Sequence, residues 1–191
     1  MNVMYFSYQP YFLDLAEIME EKGWLPVYWS VVPSSRDAVK SKYPNVICHD
    51  HYDAMKGILP QEYQNKLLPA LCPSFLHQLI HAERISMRML DRNDSHTNTF
   101  SYRERLKLFQ KLVQYWKMVV EDLDPKYVVF EEEPHQISDY VLYEVCKLMG
   151  VETIMFIRTN FHERMYPIHK FIISRCLSHH MFHEQIMDLI S

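Results

Sequence analysis

Apolar residues fall in short unbroken runs near the two ends of the chain and at helical spacing between them. Residues 2–7 (NVMYFS) lack polar alternation, as a strand covered on both faces does. Residues 11–22 follow with Phe12, Leu15, Ile18 and Met19 three to four apart, and Gly23 stands where a helix C-terminal cap belongs. LPVYWSVV, residues 25–32, reads as a second strand. Strand, helix with a closing glycine and strand again make one βαβ unit, which predicts parallel strands and a right-handed crossover. NVICH at 45–49 predicts a third short strand after the turn at Tyr43-Pro44.

The middle of the chain reads as helical. Ser74 is the expected cap of a helix running to about Asp91, with Phe75, Leu79, Ile80 and Leu90 inward. After a polar loop, a long helix is expected over 102–122. Its stripe of Leu106, Phe109, Val113, Trp116, Val119 and Leu123 repeats every three to four residues until Asp124-Pro125 ends it. YVVF at 127–130 is again an unalternating apolar run. A helix over 137–149 follows with Ile137, Val141, Val145 and Leu148 inward, Gly150 after its end, and a strand at 152–157. This is a second βαβ unit, with RTNFHER as the loop beyond it and one or two helices expected over 170–190. The pattern predicts one Rossmann-like α/β domain over residues 1–191: a parallel sheet flanked by helices, with a helical insertion at about 60–122.

Composition narrows the function. A net charge of -4 gives no footprint for nucleic acid, which needs clustered Lys and Arg. Aromatic residues make up 14% of the chain, enough to line a carbohydrate site, although filling the core is their commoner use. Cys48, Cys72, Cys146 and Cys176 form no C-x-x-C pair, as expected of free thiols in a reducing compartment. The N-terminus lacks the basic and apolar regions of a signal peptide, and no run approaches the roughly 20 apolar residues of a membrane span. A cytoplasmic protein without a membrane span is the expectation.

In an open parallel sheet, ligands bind beyond the carboxyl ends of the strands. Three loops qualify: residues 7–11, 131–135 and 158–162. The first has no glycine, so it does not make the close backbone approach of a G-x-G-x-x-G turn; a dinucleotide enzyme is disfavoured, and the absence of G-x-x-x-x-G-K-[ST] excludes a P-loop. Its Tyr8 and Gln9 are candidate binding residues. Glu131, Glu132 and Glu133 crowd like charges at a strand end, which calls for solvent, a cation or a shared proton. Glu132, Glu133 or His135 suits a general base on a sugar hydroxyl; the competing reading is acidic residues favoured by a helix N-terminus. Arg158, Thr159 and Asn160 offer a charged fork and hydrogen-bonding groups for a phosphate, a carboxylate or sugar hydroxyls, unless Arg158 merely pairs with a neighbouring glutamate. His77 and His81 lie at helical i, i+4 spacing, but the sequence HQLIH lacks the glutamate of a metalloprotease motif, and Arg84 and Arg88 continue the stripe. Water or an anion suits that stripe better than a metal. His49 and His51, flanking Asp50, have no metal-site spacing, and His179, His180 and His183 read as a solvated face. Neither a metal nor a cofactor is expected.

The block DPKYVVFEEEPHQISDYVLYEVCKLMGVETIMFIRTNFHER, residues 124–164, resembles a series in bacterial capsule and surface-polysaccharide biosynthesis proteins. There a proline, an apolar strand, an acidic-Pro-His loop, a tyrosine-rich helix, a glycine and a second apolar strand recur. MRMLDRND and FSYRERLKLFQKLVQYW are similar to the helical lead-in of the same proteins, so the resemblance spans residues 84–166. It implies the N-terminal half of a two-domain glycosyltransferase of the GT-B kind. In such enzymes this half meets the acceptor glycan, the other half holds the nucleotide sugar, and no metal is needed. By position, Glu132, Glu133 and His135 match the expected base. No second Rossmann-like half follows in this sequence, so the expectation is a fragment, or a chain without a donor domain, that needs a second domain or partner subunit for activity. The alternative is a non-catalytic sugar- or nucleotide-binding module, or a domain that docks on a partner.

Overall fold

The computed structural model describes residues 1–7, 11–94, 100–158 and 165–168. Among these residues, six strands form one sheet in the order β3-β2-β1-β4-β5-β6. They are β1 (Asn2–Phe6), β2 (Leu25–Val31), β3 (Ile47–Asp50), β4 (Tyr127–Phe130), β5 (Glu152–Arg158) and β6 (Met165–Ile168). The first five are parallel, giving the expected Rossmann-like α/β fold; β6 pairs antiparallel with β5 at the edge. Among the described residues, no helix is long and apolar enough to cross a membrane.

Strand alternation divides the core in two. Val3, Tyr5, Trp29, Val31, Val129 and Ile154 face one side, where α1 (Tyr11–Glu20) and α2 (Pro33–Lys42) cover them with Phe12, Ala16, Met19 and Val39. Met4, Phe6, Tyr28, Val128, Phe130 and Met155 face the other side, under α5 (Ile80–Asn93), α6 (Tyr102–Leu123) and α7 (Ile137–Met149). Trp116 of α6 lies edge-on to Phe6 and Tyr28, with ring centroids 5.3 and 5.7 Å away. All three tryptophans are at most 2% exposed, so the aromatic richness fills the core.

Several expectations are corrected. α1 buries Phe12, Ala16 and Met19, whereas Ile18 is 55% exposed: the small Ala16 lets the helix lie close to the sheet and turns Ile18 outward. α2 and the short α3 (His51–Met55) were not expected. Only Val39 of α2 is buried, so α2 carries no apolar stripe to read. α3 is started by Asp50, whose Oδ1 accepts from the N–H groups of Tyr52 and Asp53 at 2.9 and 3.1 Å. The helix expected from Ser74 is two helices, α4 (Pro73–Gln78) and α5, broken at Leu79. Leu79 is buried and Ile80 is 48% exposed, so the break turns the chain between them. His77 and His81 therefore do not share one helix face; both, with Arg84 and Arg88, are exposed. Arg158 was expected in a loop and is the last residue of β5, opposite Met165 of β6. The helices expected over 170–190 and the trio His179, His180 and His183 lie outside the described residues.

Candidate functional site

The connection from β1 runs toward β2, and the one from β4 runs toward β5. The chain thus diverges between β1 and β4, and the carboxyl ends of strands flanking such a divergence are where open parallel sheets form a ligand crevice. Glu131 N–H extends the ladder by donating to Phe6 O at 2.8 Å. That bond sets the register, leaving Glu131 only 1% exposed, Glu132 half-buried and Glu133 exposed. Ser7 Oγ donates to Glu131 Oε2 at 3.2 Å across the two strand ends. Trp29 Nε1–H donates to Ser7 O at 3.3 Å and ties β2 to the same point. Seven of the eleven buried polar residues among the described ones gather at this end of the molecule: Ser7, Ser30, His49, His51, Glu131, Ser138 and Asp139. Hydrophobic burial alone does not select such a distribution.

The β4–α7 loop brings His135 beside Glu132 and Glu133. His135 Nδ1–H donates to Glu133 O at 3.0 Å. A carbonyl only accepts, so in the neutral ring the proton sits on Nδ1 and the lone pair on Nε2. Glu132 Oε1 lies 3.6 Å from the same Nδ1. Gln136 precedes α7 without capping it through its side chain; its Oε1 meets His51 Nε2 at 2.9 Å. His51 follows β3, three strands from β4, so this bond ties the segments that follow these two strands together at the carboxyl ends of the sheet. Burial lowers the pKa of His51 below its ordinary value.

Asp139 and Ser138 occupy the first turn of α7. Asp139 is 4% exposed, and burial pushes its carboxyl up to about 7, with Glu132 adding to the rise and His135 opposing it. Neither Asp139 Oδ1 nor Ser138 Oγ has a hydrogen-bond partner among the described residues.

His49 is a contrast. Its Nε2–H donates to Ile58 O at 2.7 Å, Tyr28 OH donates to its Nδ1, and Tyr115 OH lies 3.0 Å from Tyr28 OH. Burial lowers its pKa to about 4. This ring is closed and structural. Among the described residues, no group of three or more His, Cys, Asp or Glu is placed to hold a metal ion.

The structure thus brings Glu131, Glu132, Glu133 and His135 to the crevice. Tyr8, Gln9, Thr159 and Asn160 lie outside the described residues, as does the side chain of Arg158. Sequence reading missed Ser7 as a partner of Glu131, and also His51, Gln136, Ser138 and Asp139. Asp139 carried a signal: a carboxylate inside a helix turn between Ile137 and Val141, both inward-facing, is an anomaly in an apolar stripe. The chain has no detectable similarity to any protein-family model, curated protein or solved structure.

Proposed function

We propose that this domain is the acceptor side of a glycosyltransferase of the GT-B kind, acting in surface-polysaccharide assembly in the cytoplasm. The carrying observation is the charge of the crevice. The described side chains of Ser7, residues 131–136 and the first turn of α7 include four carboxyls and two hydroxyls, and no Lys or Arg. Such a lining repels a nucleotide diphosphate and accepts the hydroxyls of a neutral glycan. Glu131, Tyr8, Gln9, Arg158, Thr159 and Asn160 are proposed to bind the sugar.

In this reading His135 is the base and Glu132 its partner; exposed Glu133 contributes its carbonyl. His135 Nε2 removes the proton from one acceptor hydroxyl, and the oxygen attacks the anomeric carbon of the donor sugar. The bond from that carbon to the nucleotide diphosphate breaks, and its electron pair leaves on the phosphate. The nucleotide sugar is held by a second domain or a partner subunit.

Thermal denaturation with mono- and oligosaccharides, nucleotide sugars and free nucleotides tests this. A neutral glycan at a hundred times its dissociation constant stabilises the fold by about 2.7 kcal/mol, or roughly 5–10 °C in Tm for a chain of this size. Glu132→Gln and His135→Ala keep the Tm of the free protein. A transferase loses turnover with them, whereas a non-catalytic module loses affinity alone. A free nucleotide that stabilises as strongly as any glycan contradicts the acceptor-side reading.

A further inference from the structure

Ion pairing and capping account for most charged side chains packed into this molecule, but not for Asp139. Arg105 and Asp94, both buried, hold each other at 3.0 Å, and Asp94 also receives the Phe100 N–H at 2.9 Å. Glu131 has Ser7. Asp139 has one oxygen, Oδ1, with no partner among the described residues while only 4% of the residue is exposed. A buried acceptor left unpaired costs about 1–3 kcal/mol, and more if it is charged. The group is therefore a net liability to the fold as it stands.

Its position is specific. Asp139 is the third residue of α7, and its carboxyl lies against the N–H groups of Asp139 and Tyr140 at the head of that helix. No side chain of Gln136 caps that end, and the neighbouring Ser138 Oγ is also buried and unpartnered. His135 and Glu132 interact with Asp139 from the loop that floors the crevice. From α3 comes His51, held by Gln136. The buried residues of α5, Ala82, Ser86, Met87 and Leu90, bring no titratable group, and the one buried charge of α6, Arg105, is taken by Asp91 and Asp94.

We propose that Asp139 is the crevice's proton-exchanging residue, its Oδ1 kept without a partner among the described residues so that a hydroxyl group of the bound ligand is its partner. As the acid it donates one hydrogen bond to a ligand oxygen. As the carboxylate it accepts one from a ligand hydroxyl, and the switch between the two exchanges a single proton with solvent or with His135. Burial holds the carboxyl near 7, so both forms are populated around neutrality. The inference rests on the acceptor-site reading only for the identity of the ligand as a sugar.

The test uses the whole chain and no sugar, so its failure is separable from failure of that reading. A hydrophobic carbodiimide reacts with protonated carboxyls in apolar surroundings, and peptide mapping by mass spectrometry locates the product. Asp139 should be labelled in the folded protein, with labelling falling roughly a hundredfold between about pH 6 and pH 9. Asp139→Asn should remove that product and raise Tm at pH 8 while changing it little at pH 4. Absence of label at Asp139 while exposed carboxyls react overturns the proposal, as does a labelling midpoint near that of an ordinary aspartate. A lower Tm for Asp139→Asn at pH 8 shows a structural role and overturns it equally.

Discussion

At the scale of single residues, two buried groups titrate in opposite senses. His49 is held neutral: its pKa is about 4 in the fold against an ordinary 6.5. The unfolded chain binds a proton that the fold refuses, so its stabilisation is complete above about pH 6.5 and is lost as pH falls toward 4, by roughly 3 kcal/mol. Asp139 is held protonated, about 7 against 3.8. Its contribution is complete below about pH 4 and is lost as pH rises through 7, by about 4 kcal/mol at most. The two slopes oppose each other. Urea titrations at several pH values should show Asp139→Asn gaining stability over wild type as pH rises from 4 to 7. His49→Gln should lose its disadvantage relative to wild type as pH falls from 6.5 to 4. Parallel pH curves for all three proteins contradict these assignments. His49 was not legible as a buried neutral group in the sequence, and Asp139 only as a carboxylate out of place in an apolar stripe. His49 owes its neutral state to burial, and only the fold brings Tyr28, Tyr115 and Ile58 around it. The order of the three glutamates was equally hidden, because pairing with the distant β1 through Phe6 decides that Glu131 is the inner one.

At the scale of elements, legibility follows the strength of the local signal. β4 and α7 lie where the apolar run and the 3.6-residue stripe place them, with Gly150 closing α7 at φ 72°. α6 likewise starts and stops on chemistry written in the chain. Ser101 Oγ accepts from Glu104 N–H at 3.3 Å, while Glu104 Oε2 accepts from Ser101 N–H at 2.9 Å. Asp124 ends the helix in the left-handed region, φ 42°, with its N–H on Val120 O. Ser101→Ala should cost about 1 kcal/mol in urea unfolding, and Asp124→Gly should add about 0.5 kcal/mol by relieving the positive φ. The reverse signs would mean that packing, not the caps, sets the ends of α6. The elements that sequence reading missed are those whose formation is a tertiary matter. α2 buries one residue, α3 spans five, and β6 has four residues, with Pro167 among them, paired to β5 alone. None offers a repeat long enough to count.

At the scale of the whole molecule, strand order makes the site. Parallel strands in the order β3-β2-β1-β4-β5 place the divergence between β1 and β4, and the buried polar residues collect at the carboxyl ends of the strands. The two βαβ units were readable at either end of the chain; their joining side by side through β1 and β4 was not, since 120 residues separate Phe6 from Lys126, where β4 is about to start. The proposed function places a neutral sugar in this crevice rather than on any other surface. An open groove of another kind lies beside α3, lined by Tyr52, Met55, Lys56, Leu90 and Leu108. Amide chemical-shift mapping of the labelled chain, titrated with the glycan that raises Tm most, distinguishes the two directly. Saturable shifts are expected at Ser7, Glu131, Glu132, Glu133, His135, Gln136, Asp139 and His51. Shifts confined to the groove beside α3, or to residues scattered over the surface, would contradict it.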